Sequence, residues 1–205
     1  MSDAEIAGLN VSRETDERFN RYRALLEKWN PRINLVSRST LVDVWTRHFV
    51  DSAQLMGLCP AGVRHWADLG SGGGFPGLVV AVLAAELAPQ MRVTLVESDQ
   101  RKATFLWTVA RDLKIAPEII TGRIEEIPNL EADLISARAL APLDQLLGLA
   151  FRHLLPGGVA LLPKGIGHAR EISDALALWR FDVQKYPSRT DPGAVILKIE
   201  GLSRV

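Results

Sequence analysis

The apolar positions of this 205-residue chain change period partway along it. Near the start, Phe19, Tyr22, Leu26 and Trp29 recur at three- and four-residue steps, the stripe of an amphipathic helix. Ser12 offers a side-chain oxygen to cap that helix, and Glu14, Asp16 and Glu17 place negative charge in its first turn, where the helix dipole favours it. Asn30-Pro31 is expected to end it. A second helix is expected from Thr40, with Asp43 three residues on in a capping-box arrangement and Leu41, Val44, Trp45, His48 and Leu55 on its inner face. Both helices are expected to precede every strand, so residues 1–60 read as a helical extension.

From Val63 onward, strand-like and helix-like runs alternate. The strands are expected at 65–69, 92–97, 118–121, 132–137 and 159–163, with helices between them at 76–87, 100–113, 143–154 and 168–179. Two last strands, 181–186 and 194–200, have no long helix between them and should pair antiparallel. Alternation of this kind predicts an α/β fold, a mostly parallel Rossmann-like sheet covered on both faces, with the final hairpin at its edge. Residues 61–205 are therefore expected to form a single compact unit.

Charge alters this picture little. Lys plus Arg and Asp plus Glu are equal at 24 each, so any nucleic-acid contact must come from a local basic patch. The lone cysteine, Cys59, excludes an internal disulfide and an all-cysteine zinc site; it reads as a small buried hydrophobe in a reducing compartment. Met1 to Glu17 is polar and lacks the apolar centre of a signal peptide, and the run 77–85 falls short of the roughly 18 residues that span a bilayer. A cytoplasmic chain without a membrane segment or metal site is expected. No heptad or long exposed apolar stripe suggests an obligate assembly, so a monomer is expected.

The sharpest chemical signal is Asp68-Leu69-Gly70-Ser71-Gly72-Gly73-Gly74-Phe75-Pro76-Gly77, which follows a strand and opens a helix. Glycines let a ligand approach the backbone closely, and a helix N-terminus offers free N–H groups. Gly72-x-Gly74-x-x-Gly77 fits the dinucleotide pattern in form. Asp68 argues for another ligand, since a carboxylate ahead of the first glycine suits a cationic methionine amino group or sulfonium and repels a pyrophosphate. Glu97, ending the next strand, can accept both ribose hydroxyls in either class. After the third strand, Ile124 can pack on an adenine ring and Glu125 can bind its edge. S-adenosyl-L-methionine is thus favoured over NAD, with Asp68, Gly70, Ser71, Gly72, Gly74, Glu97, Ile124 and Glu125 as candidate contacts.

With these residues, the chain resembles the RsmG (GidB) family. The resemblance rests on Trp29-Asn30, Asn34-Leu35, Arg47-His48-Phe49-Val50-Asp51-Ser52, the glycine segment ending Gly74-Phe75-Pro76-Gly77, and Glu97 with Lys102 and Phe105-Leu106. It continues through Arg123-x-Glu125, Ser136-x-Arg138-Ala139, Pro156-Gly157-Gly158 and Lys164-Gly165. The resemblance implies a class I methyltransferase that uses S-adenosylmethionine to methylate N7 of a guanine in the 530-loop region of 16S ribosomal RNA, guanine 527. It implies cofactor contacts at Gly70, Phe75, Ile124, Glu125 and Arg138. Ser136 and Arg138 are separated by Ala137, where many family members join serine directly to arginine.

Guanine N7 carries a lone pair and no proton, so this chemistry needs alignment and water exclusion rather than a general base. Arg138, after the fourth strand, is the first catalytic candidate, because a guanidinium can clamp the methionine carboxylate with two bonds. Lys164, after the fifth strand, is the second, placed near the target base or a phosphate. His48 and Asp51 lie one helical turn apart and can share a face, while Arg47 points elsewhere. Arg32, Arg38, Arg47, Arg101, Arg123, Lys164 and His168 are the candidates for contact with the RNA, whether free 16S rRNA or the 30S subunit. The competing readings are a methyltransferase acting on a small molecule or protein, and a non-catalytic cofactor-sensing protein.

Overall fold

The computed structural model describes residues 4–205; Met1–Asp3, the start of the polar N-terminal segment, lie outside the described residues. A short antiparallel hairpin, β1 (Ala4–Ile6) and β2 (Leu9–Val11), comes before any helix, contrary to expectation. Its two-residue turn has positive φ at Ala7 (53°) and Gly8 (80°), the geometry that matches the twist of paired strands. Each strand is too short to leave a periodic signal. Ile6 and Val11 are buried and join the core.

Helix α1 (Arg13–Ile33) starts where Ser12 predicts, with the Ser12 hydroxyl accepting from Thr15 N–H at 3.3 Å. It runs past Asn30-Pro31 and closes at Asn34, which adopts the left-handed conformation (φ 48°). Pro31 donates no N–H, and the buried Asn30 beside it organises the chain beyond the helix, its carbonyl accepting from Asn34 N–H at 3.1 Å and its side-chain oxygen from Val36 N–H at 2.8 Å. The expected helix from Thr40 is broken into pieces. Ser37, not Thr40, stands at the cap position of α2 (Arg38–Leu41); a wide π-turn follows over Trp45–Val50, then α3 (Asp51–Ala53) and a 3-10 turn at Met56–Leu58. Such wide turns are frequent at functional sites, and this one carries Arg47 and His48.

The main sheet contains β3 (His65–Leu69), β4 (Arg92–Glu97), β5 (Glu118–Thr121), β6 (Ala132–Ser136), β7 (Leu154–Lys164), β8 (Trp179–Pro187) and β9 (Val195–Arg204). Their spatial order is β5-β4-β3-β6-β7-β9-β8. The first five are parallel; β9 pairs antiparallel with both β7 and β8, leaving β8 at the edge. Helices α4 (Gly77–Leu87), α5 (Gln100–Leu113), α6 (Leu143–His153) and α7 (His168–Ala175) connect the strands. Helix α7 is shorter than expected, because the Trp179 side chain packs into the core and its indole N–H donates to Asp144 O, so Trp179 opens β8 instead of closing the helix.

Side chains alternate between two cores. Trp66, Leu95, Leu134 and Leu161 face α1, α4 and α5, whereas Ala67, Leu69, Val96, Ile135 and Ala160 face α6 and α7. The strand order reverses between β3 and β6, and a crevice at the C-terminal ends of strands is where open α/β sheets bind ligands. None of the described helices is long and apolar enough to cross a membrane.

Candidate active site

A cleft of about 1000 Å³ lies at that switch point. One wall comes from the turn after β3 (Gly70, Ser71, Gly72, Phe75), a second from the segment after β6 (Arg138–Pro142), and a third from the end of β7 (Lys164, Gly165). The N-terminal segment closes it with Val36, Thr40, Arg47, His48 and Asp51. Its volume is at the upper end of the range for small-molecule sites, about 300–1,000 Å³.

Strand alternation decides where Asp68 points. It lies on the same face as Trp66, beneath the start of α4, and is 1% exposed. One carboxylate oxygen accepts from Gly77 N–H at 3.1 Å and the other from the Ser136 hydroxyl at 2.7 Å. Burial pushes its pKa up to about 6, against the opposing pull of these hydrogen bonds and of Arg138. Asp68 is thus a strut under the glycine turn, linking β3, β6 and α4. Its carboxylate is bonded within the protein and does not line the cleft, so Asp68 does not meet a ligand there head-on as its place before the first glycine suggests. Ser136 also accepts from the Trp66 indole at 2.9 Å, which gives the serine a place in the same buried network.

The turn carries its own discrimination between ligand classes. The N–H groups of Gly70 and Ser71 donate to Val96 O, Gly72 N–H to the Glu97 carboxylate at 2.7 Å, Gly74 and Phe75 N–H to Ser71 O, and Gly77 N–H to Asp68. A pyrophosphate needs such donors free. Here six of them are spent within the protein, and only the Gly73 N–H has no partner among the described residues, so the turn offers a close-fitting backbone surface with few anion-binding donors. The glycines divide in function too. A Cβ on Gly74 would lie 2.2 Å from the Tyr22 hydroxyl and one on Gly77 2.3 Å from Leu95, so both serve packing, and Gly74 stands apart from the cleft. Gly72, at φ +57°, faces open space, where an added Cβ would meet only Gly70 O at 3.9 Å.

Glu97 is 7% exposed and ties the turn to the next loop, its second oxygen accepting from Asp99 N–H at 2.8 Å. Ile124 is buried, and its carbonyl bonds the His153 ring at 2.9 Å, while Glu125 is exposed. Glu97, Ile124 and Glu125 lie off the cleft described above, around the ends of β4 and β5.

Arg138 is the hub of the site. It donates to Arg47 O and Asp51 Oδ2, each at 3.0 Å, and to His48 Nδ1 at 2.7 Å, and its guanidinium lies 5.4 Å from the Phe75 ring centroid. Three of its five donors are engaged, and the other two make no bond among the described residues. Accepting from Arg138 at Nδ1 makes His48 the Nε2–H tautomer, which donates to the Thr40 hydroxyl at 2.8 Å. Burial, reinforced by Arg138 and Arg47, lowers its pKa to about 3, so the ring is neutral. The Arg47 side chain turns away to Asp191 at 3.0 Å. Lys164 donates to Ala141 O at 2.9 Å and to Glu171 at 2.7 Å. Cys59 is half-buried, its thiol pushed up to about 11 by burial and so unreactive at neutral pH.

The partners that fix this arrangement leave no signal in the sequence. Tyr22 of α1 donates its hydroxyl to Gly73 O and stacks on Phe75 at 5.5 Å; Thr40 holds His48; Glu171 holds Lys164; Leu140 covers Gly70. Each pairing spans elements distant in the chain or depends on a loop path, and no local spacing reveals it.

The chain matches the family described as GidB, rRNA small subunit methyltransferase G, over residues 15–191. The protein named Ribosomal RNA small subunit methyltransferase G from Cereibacter sphaeroides is 52% identical over 205 residues, covering 100% of both chains. Its namesake from Ruegeria pomeroyi is 53% identical over 197 residues, 96% of each chain. Among solved structures, a SAM dependent methyltransferase from Aquifex aeolicus aligns with a TM-score of 0.58 at 12% identity, covering 88% of this chain and 97% of that one. At that identity the likeness concerns the fold, which is the Rossmann-like class I methyltransferase architecture.

Proposed function

The chain belongs to the GidB family, rRNA small subunit methyltransferase G, and from that premise we propose that it transfers a methyl group from S-adenosylmethionine to N7 of a guanine in the 530-loop region of 16S ribosomal RNA. The observation that carries the reading is the glycine turn beside a large cleft, with most of its N–H groups spent internally. That surface suits a cofactor without phosphates. When bound, S-adenosylmethionine supplies an activated methyl on its sulfonium.

The residues of the chain divide the remaining work. Gly70, Ser71 and Gly72 would line the cofactor; Glu97 would face its ribose; Ile124 and Glu125 would hold its adenine. Asp68 and Gly74 would serve it indirectly, by fixing the turn. The two spare donors of Arg138 would take the methionine carboxylate, with Phe75 beneath the guanidinium. N7 needs no proton removed, which suits a site where His48 is neutral and both its ring nitrogens are engaged. Lys164 would meet the target base. Residues 1–60 would serve as a wall of the cleft in the 61–205 catalytic unit, and the substrate would be the 30S subunit or its RNA, met by a cytoplasmic monomer.

Mass-spectrometric mapping of 16S RNA tests the reading. One N7-methylguanine in the 530-loop region should vanish when the gene is deleted and return on complementation. An unchanged map overturns it.

A further inference from the structure

We propose that Lys164, steered by Glu171, reads O6 of the acceptor base and so selects guanine over adenine. The inference rests on the guanine-N7 reading above and assigns the residue that enforces it.

Lys164 ends β7 and its side chain is only 9% exposed, yet it lines the cleft that also holds Gly72 and Arg138. An ammonium has three donors. Two are spent, on Ala141 O and on Glu171 Oε2. These two bonds set the bearing of the third, which makes no bond within the described residues. Glu171, in the first turn of α7, is itself fixed, because the same oxygen accepts from Leu143 N–H at 2.8 Å at the start of α6. The loop after β6, the end of β7 and two helices thus converge to aim one proton. This pair is part-buried, and ion pairs between the surface and the interior contribute little or nothing net to stability, so stability alone is a weak reason for this one.

The chemistry of the base supplies a reason. On guanine, O6 is an acceptor directly beside N7; on adenine, the same place carries the N6 amino donor. A single fixed donor beside the reacting position pairs with guanine and opposes adenine, donor against donor. It also leaves the N7 lone pair free, since O6 takes the proton. A site built to bond a polar group rejects an analogue lacking it strongly, because its own group is then left unpaired.

The test uses the full-length protein and 30S particles reconstituted with 2-aminopurine in place of the target guanine. That base keeps N7 and lacks O6. The wild-type protein should favour guanine by about 10²-fold or more in kcat/KM. K164M should methylate guanine more slowly and bring the ratio of the two bases to within about threefold, the double-mutant signature of a lost contact. E171Q keeps an acceptor for Leu143 but drops the charge that holds Lys164, and should narrow the same ratio. A wild-type protein that takes both bases equally overturns the proposal without any variant. A K164M that slows both bases equally also overturns it, since a purely structural lysine acts that way. Absence of N7 methylation on unmodified particles is a different failure and strikes the functional reading first.

Discussion

At Gly72, backbone conformation and empty space point to the same outcome. Its φ of +57° disfavours any side chain, and the space beyond it is cleft rather than protein. Gly72→Val should project into the cofactor surface and lower S-adenosylmethionine affinity at least about tenfold by calorimetry, while strain costs the fold about 1–3 kcal/mol. Unaltered affinity would count against the assignment of the turn. His48 gives a pH dependence of defined sign. The unfolded imidazole takes a proton near its ordinary value of 6.5, whereas the folded ring refuses it down to about 3. His48 therefore removes stability as pH falls below 6.5, and the loss is complete near 3. Asp68 acts in the opposite sense, since its folded carboxyl is protonated from about 6 and its unfolded one from 3.8, so it adds stability over that fall. In urea titrations at pH 7 and pH 5, H48Q should lose less stability between the two than the wild type. Equal losses would mean that the ring titrates normally in the fold.

Among the elements, α1 does more than cover the sheet. Ser12 caps it and also donates its N–H and hydroxyl to Glu86 of α4 at 2.9–3.1 Å, and Tyr22, one face further on, braces the glycine turn through Gly73 O and Phe75. The helix is thereby coupled to the cleft by a side chain that the apolar stripe alone marks as core. Y22F keeps the stacking and leaves the Gly73 carbonyl without this donor. It should cost about 1–3 kcal/mol in chemical denaturation and weaken cofactor binding in the same preparation. A variant with lowered stability and unchanged affinity would separate the brace from the site. The helix periods and most strand positions were legible because each long element buries one regular face. The hairpin β1–β2 and the broken segment from Ser37 to Leu58 were not, because pieces of three to six residues are selected by dihedral angles and tertiary contacts, which leave no period.

For the molecule as a whole, equal numbers of acids and bases leave no net field to attract RNA. Any RNA affinity must come from cations the fold has not neutralised. Arg47 and Arg101 are paired with Asp191 and Asp99, and Lys164 with Glu171, whereas Arg32, Arg38 and Arg123 are exposed and make no ion pair among the described residues. If these three meet phosphates, binding to 30S particles should fall with salt at a log–log slope of about −2 to −3. Alanine at each should reduce that slope by about one, with smaller changes for Arg101→Ala. Slopes unaffected by all three substitutions would move the RNA surface elsewhere.

The sequence by itself determined the alternation of strands and helices, the antiparallel ending, the glycine turn at a strand end and the candidate cations Arg138 and Lys164, because each is a local pattern of period, backbone freedom or charge. Only the tertiary structure decided what those residues face. The handed crossover put Asp68 under α4 and away from the cleft, and the packing of α1 brought Tyr22 to the turn. The packing of the N-terminal segment gave Arg138 its partners, and the turn from β7 into α7 brought Glu171 back onto Lys164. A residue's chemistry is written in its type, but its bearing is set by contacts across the chain that no short window contains.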